Sequence, residues 1–273
     1  MGMSKKDLPG QRADLRSRRG HLMRRTGKSY LKETALLAVE LLVVLAALAI
    51  LHNNASQNAA HRQNQPNASL ADMQTAYAEA VADAKYATAD KIYRNLTPIV
   101  QGNAGLAWKD GRALFITWTS HAGYDNLTGR EINLSREVWV GVDSELKEFC
   151  TSVPGENLTL RLEQKLGLPP GSGKTRFVEI YASPSDIFRP CPDPETTDAE
   201  CGLGYPADAS PEHVLWFEDK NATSYLENGY PWTRLGYTYD WGSLNHVGMS
   251  EFVIREGAGV MIHNVSNAAQ FCG

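Results

Sequence analysis

Ala35-Leu-Leu-Ala-Val-Glu-Leu-Leu-Val-Val-Leu-Ala-Ala-Leu-Ala-Ile-Leu51 is the stretch that decides how this chain is laid out. It holds 17 residues and a single charge, Glu40. A helix needs about 17–25 apolar residues to cross a bilayer core, and Thr34 and His52 extend this run into the interfaces. On its N-terminal side, residues 1–32 carry ten Lys and Arg against Asp7 and Asp14, a net charge of +8. With a whole-chain charge of −4, that leaves −12 for the rest. Cations on one flank keep that flank in the cytoplasm. The expectation is a signal-anchor helix over 33–52 in the inner (cytoplasmic) membrane, with the N-terminus cytoplasmic and the C-terminal part periplasmic or otherwise extracytoplasmic. A cleaved signal peptide fits less well: the basic region exceeds thirty residues, and Ala47-Leu-Ala49 lies inside the apolar run. Ser17-Arg-Arg19 resembles part of a twin-arginine signal, but His21 stands where an aromatic is usual. Glu40 is costly in hydrocarbon; it snorkels to the near interface, is protonated, or meets a partner helix.

Residues 53–69 are polar, rich in Asn and Gln, and read as a tether. The globular part is then 70–273, long enough to bury a real core. Ser69 with Asp72 three residues on makes a capping box, and Leu70, Met73, Tyr77, Val81, Ala84 and Ile92 predict one amphipathic helix reaching Arg94. Beyond it the pattern turns to strands. Trp108-Lys-Asp-Gly-Arg112 carries an Asp-Gly hairpin signal, and apolar runs at 113–119, 138–142, 176–182, 213–217, 251–254 and 259–262 read as strands. Helices are expected near Leu146–Cys150 and over 158–166, the second stopped by Gly167 and Pro169-Pro170. Strands and helices alternate without a βαβ rhythm. The fold class expected is therefore α+β, one mixed domain with a mainly antiparallel sheet.

All four cysteines lie beyond the apolar segment, and an even number in an oxidising compartment predicts disulfides. Cys191 and Cys201 bracket a short loop and form the better pair, leaving Cys150 for Cys272. Eight Asn-x-Ser/Thr sequons, from Asn54 to Asn264, also all lie beyond the segment. They agree with export but do not establish glycosylation.

Motifs for chemistry are incomplete. Leu168-Pro-Pro-Gly-Ser-Gly-Lys-Thr175 ends like a phosphate loop, but Leu168 stands at the first glycine position and a strand follows where a helix is needed. It reads as a Gly-rich turn, so no nucleotide is expected. Asp193, Glu195, Asp198 and Glu200 could in principle ligate Ca²⁺, yet their spacing is not that of an EF-hand; no metal or cofactor is expected, and a solvated acidic loop is the default. Nucleic acid is not expected as a partner either. Tyr225, Tyr230, Trp232, Tyr237, Tyr239 and Trp241 crowd into 17 residues with Arg234 and Asp240 between them. In a strand Tyr237, Tyr239 and Trp241 share one face, and such a platform suits a protein or glycan partner. The competing reading is that these rings pack the core.

The sequence therefore predicts a single-pass membrane protein presenting a binding or scaffold domain to an envelope assembly. The ligand-binding candidates are Tyr230, Trp232, Arg234, Tyr237, Tyr239, Asp240 and Trp241. The alternative is a tethered hydrolase of envelope polymers or glycans using Asp240, His213 or His246, which requires two of these side chains within hydrogen-bond reach.

Overall fold

The computed structural model describes residues 69–153 and 157–273. The basic tail 1–32, the apolar segment 33–52 and the tether up to residue 68 lie outside the described residues. Among those described, no helix is long and apolar enough to cross a membrane.

The first element of the described residues is helix α1 (Leu70–Ala84), whose Ser69 and Asp72 form the expected capping box. Helix α1 stops ten residues before the expected end at Arg94. Ala76, Ala80 and Ala84, spaced by four, are its buried stripe. After them Lys91 Nζ reaches back to Asp83 O at 3.1 Å and Asp83 Oδ1 at 2.9 Å. Arg234 Nη2 donates to Lys85 O. Terminal carbonyls of a helix need partners, and here tertiary cations supply them where no Gly or Pro marks a stop.

The sheet follows: β1 (Trp108–Lys109), β2 (Arg112–Thr119), β3 (Glu131–Asn133), β4 (Val138–Val142), β5 (Arg176–Ala182), β6 (Ile187–Phe188), β7 (Tyr237–Tyr239), β8 (Val247–Ile254) and β9 (Gly259–Ser266). Its spatial order is β3-β9-β5-β2-β4-β8-β6, with β1 also on β2 and β7 also on β8, and every pairing is antiparallel. The Asp-Gly signal holds. Lys109 pairs with Arg112 across a two-residue turn in which Asp110 (φ 51°) and Gly111 (φ 78°) are both left-handed, the conformation a tight hairpin needs.

Strand alternation sorts the apolar residues onto two faces. One face gathers Phe115, Val140, Val142, Val178, Ile180, Phe252, Ile254, Val260 and Ile262 under Ile99, Leu106 and Leu134 of the connecting loops. The other carries Ile116, Trp118, Phe177 and Met249 beneath three helices, α2 (Asp143–Ser152), α3 (Leu158–Lys165) and α5 (Ala268–Cys272), through Leu146, Leu162 and Phe271.

The run 213–217 is not a strand. It belongs to helix α4 (Pro211–Thr223), opened by a Ser210 side chain that accepts from His213 N. Burial gives the reason: His213 and Phe217 are buried, whereas Leu215 is 71% exposed. Spacing of four rather than two places a side chain toward the core, and Ser210-Pro211 is a helix start.

Both disulfides form as paired by sequence, Cys150–Cys272 and Cys191–Cys201, and no described cysteine is free. Two such bonds point to an oxidising compartment. Inside the short loop, Arg189 is wholly buried (0% exposed). Its guanidinium donates to Asp198 Oδ1 at 2.5 Å, Glu200 O at 2.9 Å and Asp198 O at 2.9 Å, and lies 5.6 Å from the Phe252 ring. The other loop acids are also engaged: Glu195 by Thr197 N and its hydroxyl, Asp193 by Glu195 N, and Glu200 by Arg94 at 3.0 Å. The acidic loop is thus folded around an internal cation. Asp198→Asn removes the charge facing a buried guanidinium and should cost about 1–2 kcal/mol, read as a lower urea midpoint with the Cys191–Cys201 bond still formed.

Candidate functional site

Strands β2 and β4 hold only two paired positions, Phe115↔Val142 and Ile116↔Gly141. Yet β2 continues for three more residues and β4 begins three residues earlier. Over that length Thr117, Trp118 and Thr119 keep their ladder to β5, and Val138, Trp139 and Val140 keep theirs to β8. The two strands therefore part, and a cleft of about 840 Å³ opens between them, lined by both diverging segments. Leu114 N donates to Ala107 O, on the β1 and β4 side of β2. Alternation by two then turns the N–H and C=O of Trp118 toward the cleft, and those of Trp139 toward it from β4. The ladder gives these main-chain groups no partner, and a backbone polar group requires one.

The cleft wall is aromatic and charged. Trp139 sits over it in contact with two further indoles, Trp216 and Trp232, with ring centroids 5.9 Å away in each case. Glu137 faces this group: its Oε2 accepts from Trp216 Nε1 at 2.7 Å, and its Oε1 pairs with Lys220 at 2.9 Å. Burial would raise the Glu137 carboxyl, but the hydrogen bonds from Lys220 and Trp216 outweigh it and hold the group below the ordinary carboxylate range.

Glu251, on β8, behaves oppositely. It pairs in register with Gly141 and lines the same cleft. The residue is half-buried in the cleft wall. Among the described residues no hydrogen bond or ion pair reaches the carboxyl. Burial therefore pushes it up to about 8.

The aromatic segment singled out in the sequence is divided between several roles. Tyr230 is 49% exposed on the cleft rim. Trp232 lines the cleft from within, its Nε1 donating to Pro190 O at 3.2 Å. Tyr237, Tyr239 and Trp241 do share a face, and that face lies against α1 and the segment after it. The Tyr237 hydroxyl donates to Lys91 O at 2.8 Å and that of Tyr239 to Asp83 Oδ2 at 3.0 Å, while Trp241 meets Tyr77 edge-on at 6.0 Å. Tyr239 also reaches the cleft. Arg234 is held by Asn221 Oδ1 at 2.9 Å and lies over Tyr225. Asp240 is buried in a two-pronged pair with Arg161, both contacts at 3.2 Å.

The residues proposed for hydrolysis share no side-chain hydrogen bond. His246 meets the main-chain oxygen of Asp240 at 3.3 Å, while that residue's carboxylate faces Arg161. His213 lies buried against Cys191 O at 2.8 Å, and burial keeps its imidazole below its ordinary value. The Gly-rich loop joins α3 to β5 as expected, and its Gly171 and Ser172 amides bind Glu163 at 3.0 Å and 2.6 Å.

Sequence reasoning missed Glu137, Trp139, Lys220 and Glu251. One signal was present for Glu251: an acid heading the apolar run Phe252-Val-Ile. Comparison with known protein families, curated proteins and solved structures finds no match to this chain.

Proposed function

We propose that this domain is a binding module of an extracytoplasmic assembly, held at the membrane by Ala35–Leu51, and that it captures an extended polypeptide segment between β2 and β4. The observation that supports the reading is the early end of the β2–β4 ladder. Two strands run on with edges that face a cleft instead of each other. An added strand supplies the groups those edges lack, and each main-chain hydrogen bond gained contributes about 0.5–1.5 kcal/mol. Trp139, Trp232 and Tyr230 then provide apolar surface for alternate side chains of the guest.

Amide exchange on the full-length chain in detergent micelles tests this. In the free protein the Trp118 and Trp139 amides should exchange at least about tenfold faster than those of Thr117 and Val140, which face paired edges. An acetylated, amidated heptapeptide of alternating Thr and Val should slow Trp118 and Trp139 selectively. If their amides are already as slow as their neighbours' without peptide, or stay fast when it is bound, strand capture is wrong.

A further inference from the structure

We infer that Glu251 selects the captured segment by taking the ammonium or guanidinium of a Lys or Arg side chain; the inference rests on the strand-capture reading above. The starting point is the carboxylates packed around it; Glu227, also on the cleft wall, is exposed to water, and Glu179, in the same row on β5, is paired with Lys147 at 2.8 Å. Glu137 has Lys220 and an indole N–H. Glu145 accepts from Ser250 N at 2.8 Å and from the Thr97 hydroxyl. Glu163 holds two loop amides, and Asp240 holds Arg161. Glu227 apart, Glu251 alone of this group has no such partner among the described residues, although a carboxyl taken from water without one is costly. The cations on the cleft wall do not answer it: Lys220 is paired with Glu137, and His121, Arg136 and Lys174 make no ion pair with Glu251. Of the phenols, Tyr225 stands close enough to feel its charge, and its own burial keeps it neutral.

Position gives the second half. Ile116, Gly141 and Glu251 form one row across β2, β4 and β8, the last row before the strands part. Residues paired in register point to the same face, so Glu251 stands on the face that also carries Trp118 and Trp139. It lies about two strand spacings, roughly 10 Å, from β2. The middle place in the row is glycine, where the end of the Met249 side chain, its methyl and its sulfur, fills the space a side chain would take. A strand entering the cleft projects alternate side chains onto this face. A long cationic one, its methylenes against Trp139 and Trp232, ends at the carboxyl. Aromatic walls around a cation add to its attraction when water is excluded.

The test uses acetylated, amidated Thr/Val heptapeptides whose central residue is Lys, Arg, norleucine or Glu, titrated calorimetrically into the full-length protein in micelles. Lys and Arg should bind about tenfold or more tighter than norleucine at pH 8, with Glu weakest. Because the Glu251 carboxyl holds a proton below about pH 8, the cation must displace it, and Lys affinity should rise about tenfold per pH unit from 6 to 8 and then level. Glu251→Gln should lose both the preference and the slope, while Glu251→Asp, which keeps the charge, should retain them; near-UV circular dichroism confirms that each variant is folded. Equal binding of the Lys and norleucine peptides overturns the inference and leaves strand capture standing. So does a pH slope that survives in Glu251→Gln, since the cleft histidine is still present there. If no peptide binds, or if only a glucosamine oligomer does, strand capture itself falls and this selection with it.

Discussion

Replacing Cys150 and Cys272 together by Ala should lower stability by about 4–5 kcal/mol, the largest loss expected from any change to this domain. The bond spans 122 residues of sequence. Cross-linking a loop of that size removes a large share of the unfolded chain's freedom, and in the chain-entropy account the stabilisation grows with the logarithm of the loop length. The Cys191–Cys201 bond spans 10 residues and should contribute less, about 2–3 kcal/mol. The longer bond also has a local task. Helix α5 has five residues, too few to persist by hydrogen bonding alone. What holds it is Phe271, stacked on Phe177 at 4.6 Å, together with Cys272 bonded into α2. Urea denaturation at neutral pH measures the loss, and proteolysis should clip first at the C-terminus of the double variant. A loss below about 1 kcal/mol would mean that α2, α5 and β5 hold together through packing, with the crosslink adding little. The same arithmetic bears on compartment. In a reducing environment both contributions vanish, and about 6–8 kcal/mol is most of what a domain of this kind retains.

Some features could be read directly because their cause is local. The Asp110-Gly111 turn needs two residues that tolerate left-handed backbone, and those two supply it. The strands 138–142 and 176–182 are short runs in which Val, Ile, Phe, Tyr and Trp predominate, and the structure places their ends at the same residues. The capping box at Ser69 is likewise complete within four residues. The misreadings arise where the cause is distant. In His213-Val-Leu-Trp-Phe217 every residue is apolar or aromatic, so the run has no visible period; burial of 213 and 217 without 215 decides it, and that follows from what Phe188 and Trp232 place around them. The end of α1 follows from Arg234 and Lys91, one of them 149 residues away from the carbonyl it serves. The cleft is the least legible of all. It exists because a ladder ends at Ile116↔Gly141, and nothing in either strand's sequence marks that position. Tyr237, Tyr239 and Trp241 drew attention by their number, yet their shared face is turned toward α1. The rings that line the cleft include Trp118 and Trp139, each isolated in an apolar strand where it looks like core.

Glu251→Gln should stabilise the protein, and the gain should grow with pH. In the folded chain the carboxyl titrates at about 8, against 4.5 for an ordinary glutamate. Between those values the unfolded chain has released this proton and the folded chain still holds it. The unfolded state therefore binds fewer protons, and stability falls as pH rises through that window. Each unit is worth about 1.4 kcal/mol, so at pH 7 the wild-type protein should be about 2–3 kcal/mol less stable than the variant, once water entering through the cleft is allowed for. Glutamine copies the shape of the protonated carboxyl and has no charge to desolvate. The difference between the two proteins should be near zero at pH 4, widen from about pH 5 to 8, and stay constant above. Urea midpoints taken at each pH give it, and every other titrating group cancels in the difference. Were the difference flat across the range, Glu251 would be ionised and satisfied within the fold, and there would be no reason for a cation to be drawn to it. A difference that widens as described means that the domain carries a destabilising carboxyl at the apex of an open strand edge. A basic guest side chain removes that cost on arrival, so the energy withheld from folding becomes available to binding.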